Sequence, residues 1–366
     1  MPASVYIHIP FCKSKCKYCS FVSYDTLDKK RDYLAALSQE IKYYYRNEKL
    51  KTLYLGGGTP SLLEIGEVER ILSDFKYSEN PEITMELNPN DVDESYLKNL
   101  KSLGVNRLSI GVQSFDDNIL KIIGRRHSSK DVFNVFQSAR NTGFNNINLD
   151  LIYGLPEQTK ENFKRDLKTL VALSPEHISL YGLKIEKNCY FGANPPQNLP
   201  DDDLQAEMYL EAKNICTSNG FEHYEISNYS KPKFESKHNM NYWLCGEYYG
   251  FGAAAHGYCG NLRYSNFETL SKYMASPIIR ENCKILTLQE HLEERIFLGL
   301  RLTCGIDAAK INSDFEIDFD KKYQNILAKY LRLGFLQKTQ KGYKLSDTPS
   351  KNGFLISNII LSEFIE

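Results

Sequence analysis

The chain has 366 residues, 42% hydrophobic and 25% charged, which excludes a disordered or fibrous protein and allows one large domain with an appendage. Lys and Arg number 45 against 46 Asp and Glu, a net charge of -1, so there is no basic field for nucleic acid or an anionic membrane. Mean hydropathy is -0.44, and no apolar run reaches the roughly 18 residues a membrane helix needs.

The N-terminal MPASVYIHIPFCKSKCKYC has no basic segment followed by an apolar one and does not read as a signal peptide. Nine cysteines, an odd number, then argue for reduced thiols, metal ligands or small core residues, and the expected compartment is the cytoplasm. Short apolar runs alternate with helical periodicity. Strands are expected at Ser4–Ile9, Thr52–Leu55, Ile83–Leu87, Arg107–Val112, Ile147–Ile152 and His177–Tyr181. Helices are expected at Leu27–Tyr45, Ile65–Phe75, Glu94–Leu103, Val132–Asn141 and Lys160–Leu173. About six β-α units in the first ~215 residues predict an α/β fold, a partial (β/α)6 TIM-like barrel. Polar and glycine-rich residues follow five of the six strands: Pro10–Cys19, Gly56–Pro60, Glu86 with Asn88, Gln113 with Ser114, and Asp150. In such barrels the loops at the C-terminal strand ends form the active site.

Asp201 and Asp202 can cap a helix running to Asn219. The stretch from 216 to 285 is aromatic and glycine-rich and reads as an extension. From 286 to 366, helices at Gln289–Leu302 and Tyr323–Leu333 and a hairpin at Phe335–Lys344 predict a small α+β, winged-helix-like domain.

Cys12, Cys16 and Cys19 form C-x3-C-x2-C after the first strand. Three soft thiolates in eight residues suit three corners of a [4Fe–4S] cube, with one iron left open for a substrate or cofactor. The alternative is zinc, which usually takes four protein ligands, and only Cys16 and Cys19 make a CxxC pair. Gly56–Gly58 lets backbone approach a ligand, or simply makes a tight turn. Glu86 suits a cationic amine or sulfonium or ribose hydroxyls, or caps a helix. Asp150 lies in an apolar strand and needs a partner. Arg125 is one candidate for that partner; it equally suits a carboxylate ligand, or an exposed loop. Gly250-x-Gly252-x-x-Ala255 fits a dinucleotide fingerprint but lacks a preceding hydrophobic strand, so no nicotinamide site is expected.

The words YIHIPFCKSKCKYCSF, LGGGTPSLL, ELNP, RLSIGVQSF, GRRH, NLDLIYGLPEQT and HNMNYW, in this order, resemble the HemN/HemW group of the radical S-adenosylmethionine (SAM) superfamily. That group holds the oxygen-independent coproporphyrinogen III dehydrogenases and related haem chaperones. The resemblance implies that Cys12, Cys16 and Cys19 hold the cluster and that the open iron binds SAM. It places Tyr6 and Tyr18 beside the cluster and SAM, and Gly57, Gly58, Thr59 and Glu86 against a first SAM. Gln113, Arg125 and Asp150 match positions that line a second SAM in the dehydrogenase. One-electron cleavage of SAM would give methionine and a 5′-deoxyadenosyl radical.

The dehydrogenase pattern is C-x3-C-x2-C-x-C, but Phe21 stands at its last position here, and the first strand begins almost at once. Both departures match the haem-chaperone branch. The expected function is delivery of haem to respiratory haem proteins, with haem as cargo and an electron donor as a further partner. Any membrane association would be peripheral, through those partners. The alternative is oxidative decarboxylation of porphyrinogen propionates; a radical SAM enzyme acting on another substrate, including RNA, ranks third. His238 in HNMNYW is the candidate axial haem ligand, with hydrogen bonding inside a Tyr/Asn-rich core as the plain alternative. Tyr242 and Trp243, the single tryptophan, suit a porphyrin face. Cys245, Cys259 and His256 are nearby alternative ligands, and Cys189, Cys216, Cys283 and Cys304 read as small hydrophobes or spare thiols.

Overall fold

The computed structural model describes residues 3–365. Six parallel strands form its centre: β1 (Ser4–Ile9), β2 (Lys49–Gly57), β3 (Lys76–Leu87), β4 (Arg107–Gln113), β5 (Ile147–Tyr153) and β6 (His177–Gly182). The crossover helices are α1 (Lys30–Tyr44), α2 (Ile65–Ser73), α3 (Glu94–Ser102), α4 (Asp117–Ile122), α5 (Ser129–Asn141) and α6 (Lys160–Leu173). The expected strands and helices are all present. β3 starts seven residues early, through the polar stretch Lys76–Glu82, and α4 was not anticipated.

Period-two alternation explains the wedge of sheet and helices. Val5, Ile7, Leu53, Leu55, Met85, Leu108, Ile110, Leu149, Leu151 and Ile178 are buried in one apolar core with α1, α2, α3, α5 and α6. The intervening residues line the inside: Tyr54, Glu86, Ser109, Asn148, Asp150 and Ser179 are on the concave face, in register across neighbouring strands. A parallel strand buried on both sides usually reads as an unbroken apolar run. Here one face is polar throughout, which marks an interior built for a ligand.

The stretch after α7 (Tyr190–Ala193) and α8 (Asp202–Ser218) supplies both edges of this sheet. β7 (Glu222–Glu225) and β8 (Asn228–Ser230) add antiparallel strands beside β6. After α9 (Lys237–Trp243), β9 (Tyr249–Phe251) pairs in parallel with the edge of β1 opposite β2. The sheet order β7-β8-β6-β5-β4-β3-β2-β1-β9 leaves the barrel open between its two edges. Residues 216–285 are therefore woven into the barrel and share its core through Cys216, Phe221, Tyr229, Phe251 and Tyr273. The glycine fingerprint does carry a strand, β9, contrary to the reading above. It runs on to a further strand, β10 (His256–Cys259), with no helix whose N-terminus would take a phosphate. Glu40 of α1 pins this region: it is fully buried and accepts from Gly252 N (2.9 Å), Asn266 Nδ2 (2.7 Å) and Tyr273 OH (2.6 Å).

β11 (Leu262–Asn266) and β12 (Arg280–Ile285), with the short helix α10 (Leu270–Ala275) between them, complete an antiparallel sheet with β10. The C-terminal part has its own core, from Leu292 to Phe364. It runs α11 (Leu288–Gly299), β13 (Ile306–Asp307), α12 (Ala308–Phe315), α13 (Phe319–Lys322), α14 (Gln324–Leu333) and the hairpin β14 (Leu336–Lys338) with β15 (Gly342–Leu345), in sheet order β13-β15-β14. Helices packed with a three-stranded sheet, one strand between α11 and α12 and two in the hairpin after α14, make the winged-helix-like arrangement. Among the described residues no helix is long and apolar enough to cross a membrane.

Candidate functional site

The C-terminal ends of β1 to β6 surround a cavity of about 410 Å³. It is lined by Cys12, Cys16, Tyr18, Cys19, Gly57, Gly58, Thr59, Glu86, Gln113, Arg125 and Asp150, eleven of the thirteen residues singled out from sequence. The other two, Tyr6 and His238, lie outside it.

The cysteine loop is tied down at both ends. Cys12 N donates to Tyr24 O (2.9 Å), and Lys17 N donates to Ile123 O (3.0 Å). All three thiols are free of disulfides. Burial pushes the Cys19 thiol up to about 11. Thr59 Oγ1 donates to Cys12 Sγ (3.4 Å), and Arg125 Nη1 donates to Cys16 Sγ (3.6 Å). Such donors stabilise thiolate sulfur and suit a cluster. Among the described residues no three His, Cys, Asp or Glu converge tightly enough for a single metal ion. A cube takes each thiolate on a different iron and does not need that convergence.

The glycine run makes a close approach that side chains would block. A Cβ on Gly57, at φ +111, would lie 2.5 Å from the His8 ring, and one on Gly58 would lie 2.7 Å from Phe11 O. Gly57 N donates to Glu86 Oε2 (3.1 Å) and Tyr54 OH to Glu86 Oε1 (2.8 Å). Burial raises Glu86 to about 7 despite these donors. Gln113 follows a register shift against β5 and sits at φ +66, a left-handed conformation that turns its side chain into the cavity.

Arg125 is neither the partner of Asp150 nor an exposed loop cation. It donates to Asn88 Oδ1 (2.8 Å) and Gly111 O (2.7 Å), forming a fork across the mouth. Asp150 instead accepts from Asn148 Nδ2 (2.7 Å) and Ser109 Oγ (3.3 Å), and burial raises its carboxyl above the ordinary range. Arg107, which sequence reading missed, is 2% exposed and lines the cavity floor. Its signal was its place at an inward position of β4, in register with Thr84 of β3.

Tyr6 turns its hydroxyl to His8 Nδ1 (3.1 Å) and stacks on Tyr54. His238 lies at the opposite end of the barrel from the cysteines, near the start of β2. Its Nδ1 bonds Thr52 Oγ1 (2.8 Å), its Nε2 bonds Tyr242 OH (2.7 Å), and its ring stacks on Tyr54 at 5.2 Å. Glu82 holds the start of α9 there, accepting from Lys237 N (3.1 Å) and His238 N (3.0 Å). Burial lowers His238 to about 3, so it stays neutral, and both ring nitrogens are already engaged. The hydrogen-bonded core arrangement is what the geometry shows, and iron ligation would require breaking it.

Residues 6–170 match the radical SAM superfamily, and 286–348 match the HemN C-terminal domain. The haem chaperone HemW of Lactococcus lactis is 36% identical, covering 100% of this chain and 97% of its own. The haem chaperone HemW of Bacillus subtilis is also 36% identical, covering 99% of each chain. The chain belongs to the HemW family. Among solved structures, Escherichia coli coproporphyrinogen III oxidase (HemN), a radical SAM enzyme, superposes with TM-score 0.87 at 24% identity, over 99% of this chain and 90% of that one. That likeness shows a shared fold. Radical SAM membership brings a [4Fe–4S] cluster and SAM.

Proposed function

We propose that the chain is a haem chaperone that holds a [4Fe–4S] cluster and SAM in the strand-end cavity and passes haem to respiratory haem proteins. The observation that carries this reading is the near full-length likeness to haem chaperones of two organisms. Phe21, in the place where the dehydrogenase pattern has a further cysteine, is 65% exposed.

Cys12, Cys16 and Cys19 would hold three irons, leaving the fourth for the amino and carboxylate groups of SAM. The cluster and SAM, when bound, supply one-electron chemistry. The Gly57–Gly58 backbone makes room for SAM, and Glu86 presents a carboxylate already fixed by Tyr54 and Gly57. Arg125 places positive charge beside Cys16 sulfur at the mouth, and Gln113 and Asp150 line the cavity with it. Work in the cytoplasm, an electron-donor partner and peripheral contact with membranes through haem recipients complete the proposal.

The test is anaerobic loading with iron and sulfide, followed by haem titration and a coproporphyrinogen III assay on one sample. Haem binding without porphyrinogen turnover is the expected result. Turnover would establish the dehydrogenase reading instead.

A further inference from the structure

A second cleft, of about 1030 Å³, opens beside the cluster cavity. Tyr181, Gly182 and Asn239 line both, so the two spaces adjoin across the open side of the barrel. The barrel contributes Tyr153, α8 contributes Tyr209, and α9 contributes Tyr242 and Trp243. The C-terminal domain closes the far side with Leu298, Arg301 and Phe354.

Among the described residues Arg301 is the cleft's single cation, facing a lining that also holds Asp202 and Glu225. Its Nη2 donates to Asn358 Oδ1 (3.0 Å), and its guanidinium lies 3.9 Å from the Phe297 ring centroid. Its Nε is buried and has no hydrogen-bond partner. The buried carboxylate of Glu225 nearby is already taken up by Ser227 N (3.0 Å) and Asn228. The Arg301 guanidinium is partly exposed, in a cleft that mixes aromatic and polar side chains, and suits the carboxylate of a flat ligand. Among the described residues no histidine, cysteine or methionine lines the space.

We propose that this cleft seats the haem, with Arg301 holding a propionate and Tyr181 and Trp243 covering the macrocycle. The inference rests on the haem-chaperone reading and adds to it where the cargo sits and how it is gripped. The grip comes from the ring faces and one propionate, with no nitrogen or sulfur ligand on the iron. A recipient that offers the iron a histidine then has a ligand advantage, and transfer runs downhill.

The experiment titrates four probes (haem, metal-free protoporphyrin IX and the dimethyl ester of each) into the wild type, Arg301→Ala and Arg301→Lys. Iron and sulfide uptake in each variant reports folding, because Arg301 does not line the cluster cavity. Arg301→Ala should weaken haem binding about tenfold, with partial rescue by lysine. The esters should bind the wild type as weakly as haem binds the alanine variant and should ignore the substitution. Metal-free protoporphyrin should bind within a few-fold of haem. Unchanged haem affinity in a folded Arg301→Ala protein overturns the site. Binding of haem but not of metal-free protoporphyrin also overturns it, because the iron ligand would then carry the affinity. If the wild type binds no haem at all, the chaperone reading itself fails, and this inference with it.

Discussion

The two ends of the barrel hold similar residue types in opposite states. At the C-terminal strand ends, Cys12, Cys16, Cys19, Glu86 and Arg125 surround open space, with Glu86 and Arg125 held in place by neighbours. At the N-terminal ends, Glu82, Thr52, Tyr242 and His238 satisfy one another, and α9 plugs the opening. Residue chemistry alone therefore does not mark a site. A histidine in a memorable motif can be structural, whereas three cysteines lining one open cavity, two of them with donors aimed at sulfur, are not explained by packing.

The sharpest break in this comparison comes from the cysteines. Cys16→Ala should reduce iron and sulfide uptake to background while the fold persists, because the residue belongs to none of the hydrophobic cores. At the other end, His238→Ala should cost about 2–4 kcal/mol of unfolding free energy, since the Thr52 and Tyr242 hydroxyls are left buried and unpaired. Cluster loading and the haem spectrum should survive, as chemical denaturation and titration would show. A lost haem spectrum at undiminished stability would make His238 a ligand after all.

Glu40 belongs to neither end and gives a smaller, pH-dependent effect. Burial raises its carboxyl from 4.5 to about 7. Below its ordinary value the folded and unfolded chains are both protonated there. Between that value and about 7 the unfolded chain ionises first, so stability falls as pH rises. Glu40→Gln should remove this slope, worth about 1–3 kcal/mol across the window, in melts run from pH 4.5 to 7.5. Phe21→Ala should shift stability by less than about 0.5 kcal/mol, because the ring is mostly in solvent.

The barrel and its site were largely legible because strand ends announce themselves by glycine and polar residues following apolar runs. The inward polar rows were equally visible as alternation, in E-x-T-x-E of β3 and N-x-D of β5, but apolar neighbours dominate the local average. β9 escaped because its three residues, Tyr-Gly-Phe, form too short a run to show periodicity; its place is set by pairing with β1 far away in sequence. Arg125 as a candidate partner of Asp150 fails for a related reason. A strand carboxylate and a loop cation look complementary on paper, yet Ser109 and Asn148 sit beside Asp150 in the sheet and reach it first.

The pairing of β1 with both β2 and β9 also orders events during synthesis. The strand that carries the cysteine loop gains its second neighbour only after residue 251 has left the ribosome, and Tyr24, at the end of that loop, donates to Glu268 O still later in the chain. Contacts this distant in sequence form slowly, and larger chains pass through partly assembled states on the way. The strand and loop that carry the cysteines are thus completed only by segments more than 200 residues downstream. Until then its three thiols ride on an unfinished edge, open to oxidants and to whatever delivers iron and sulfide.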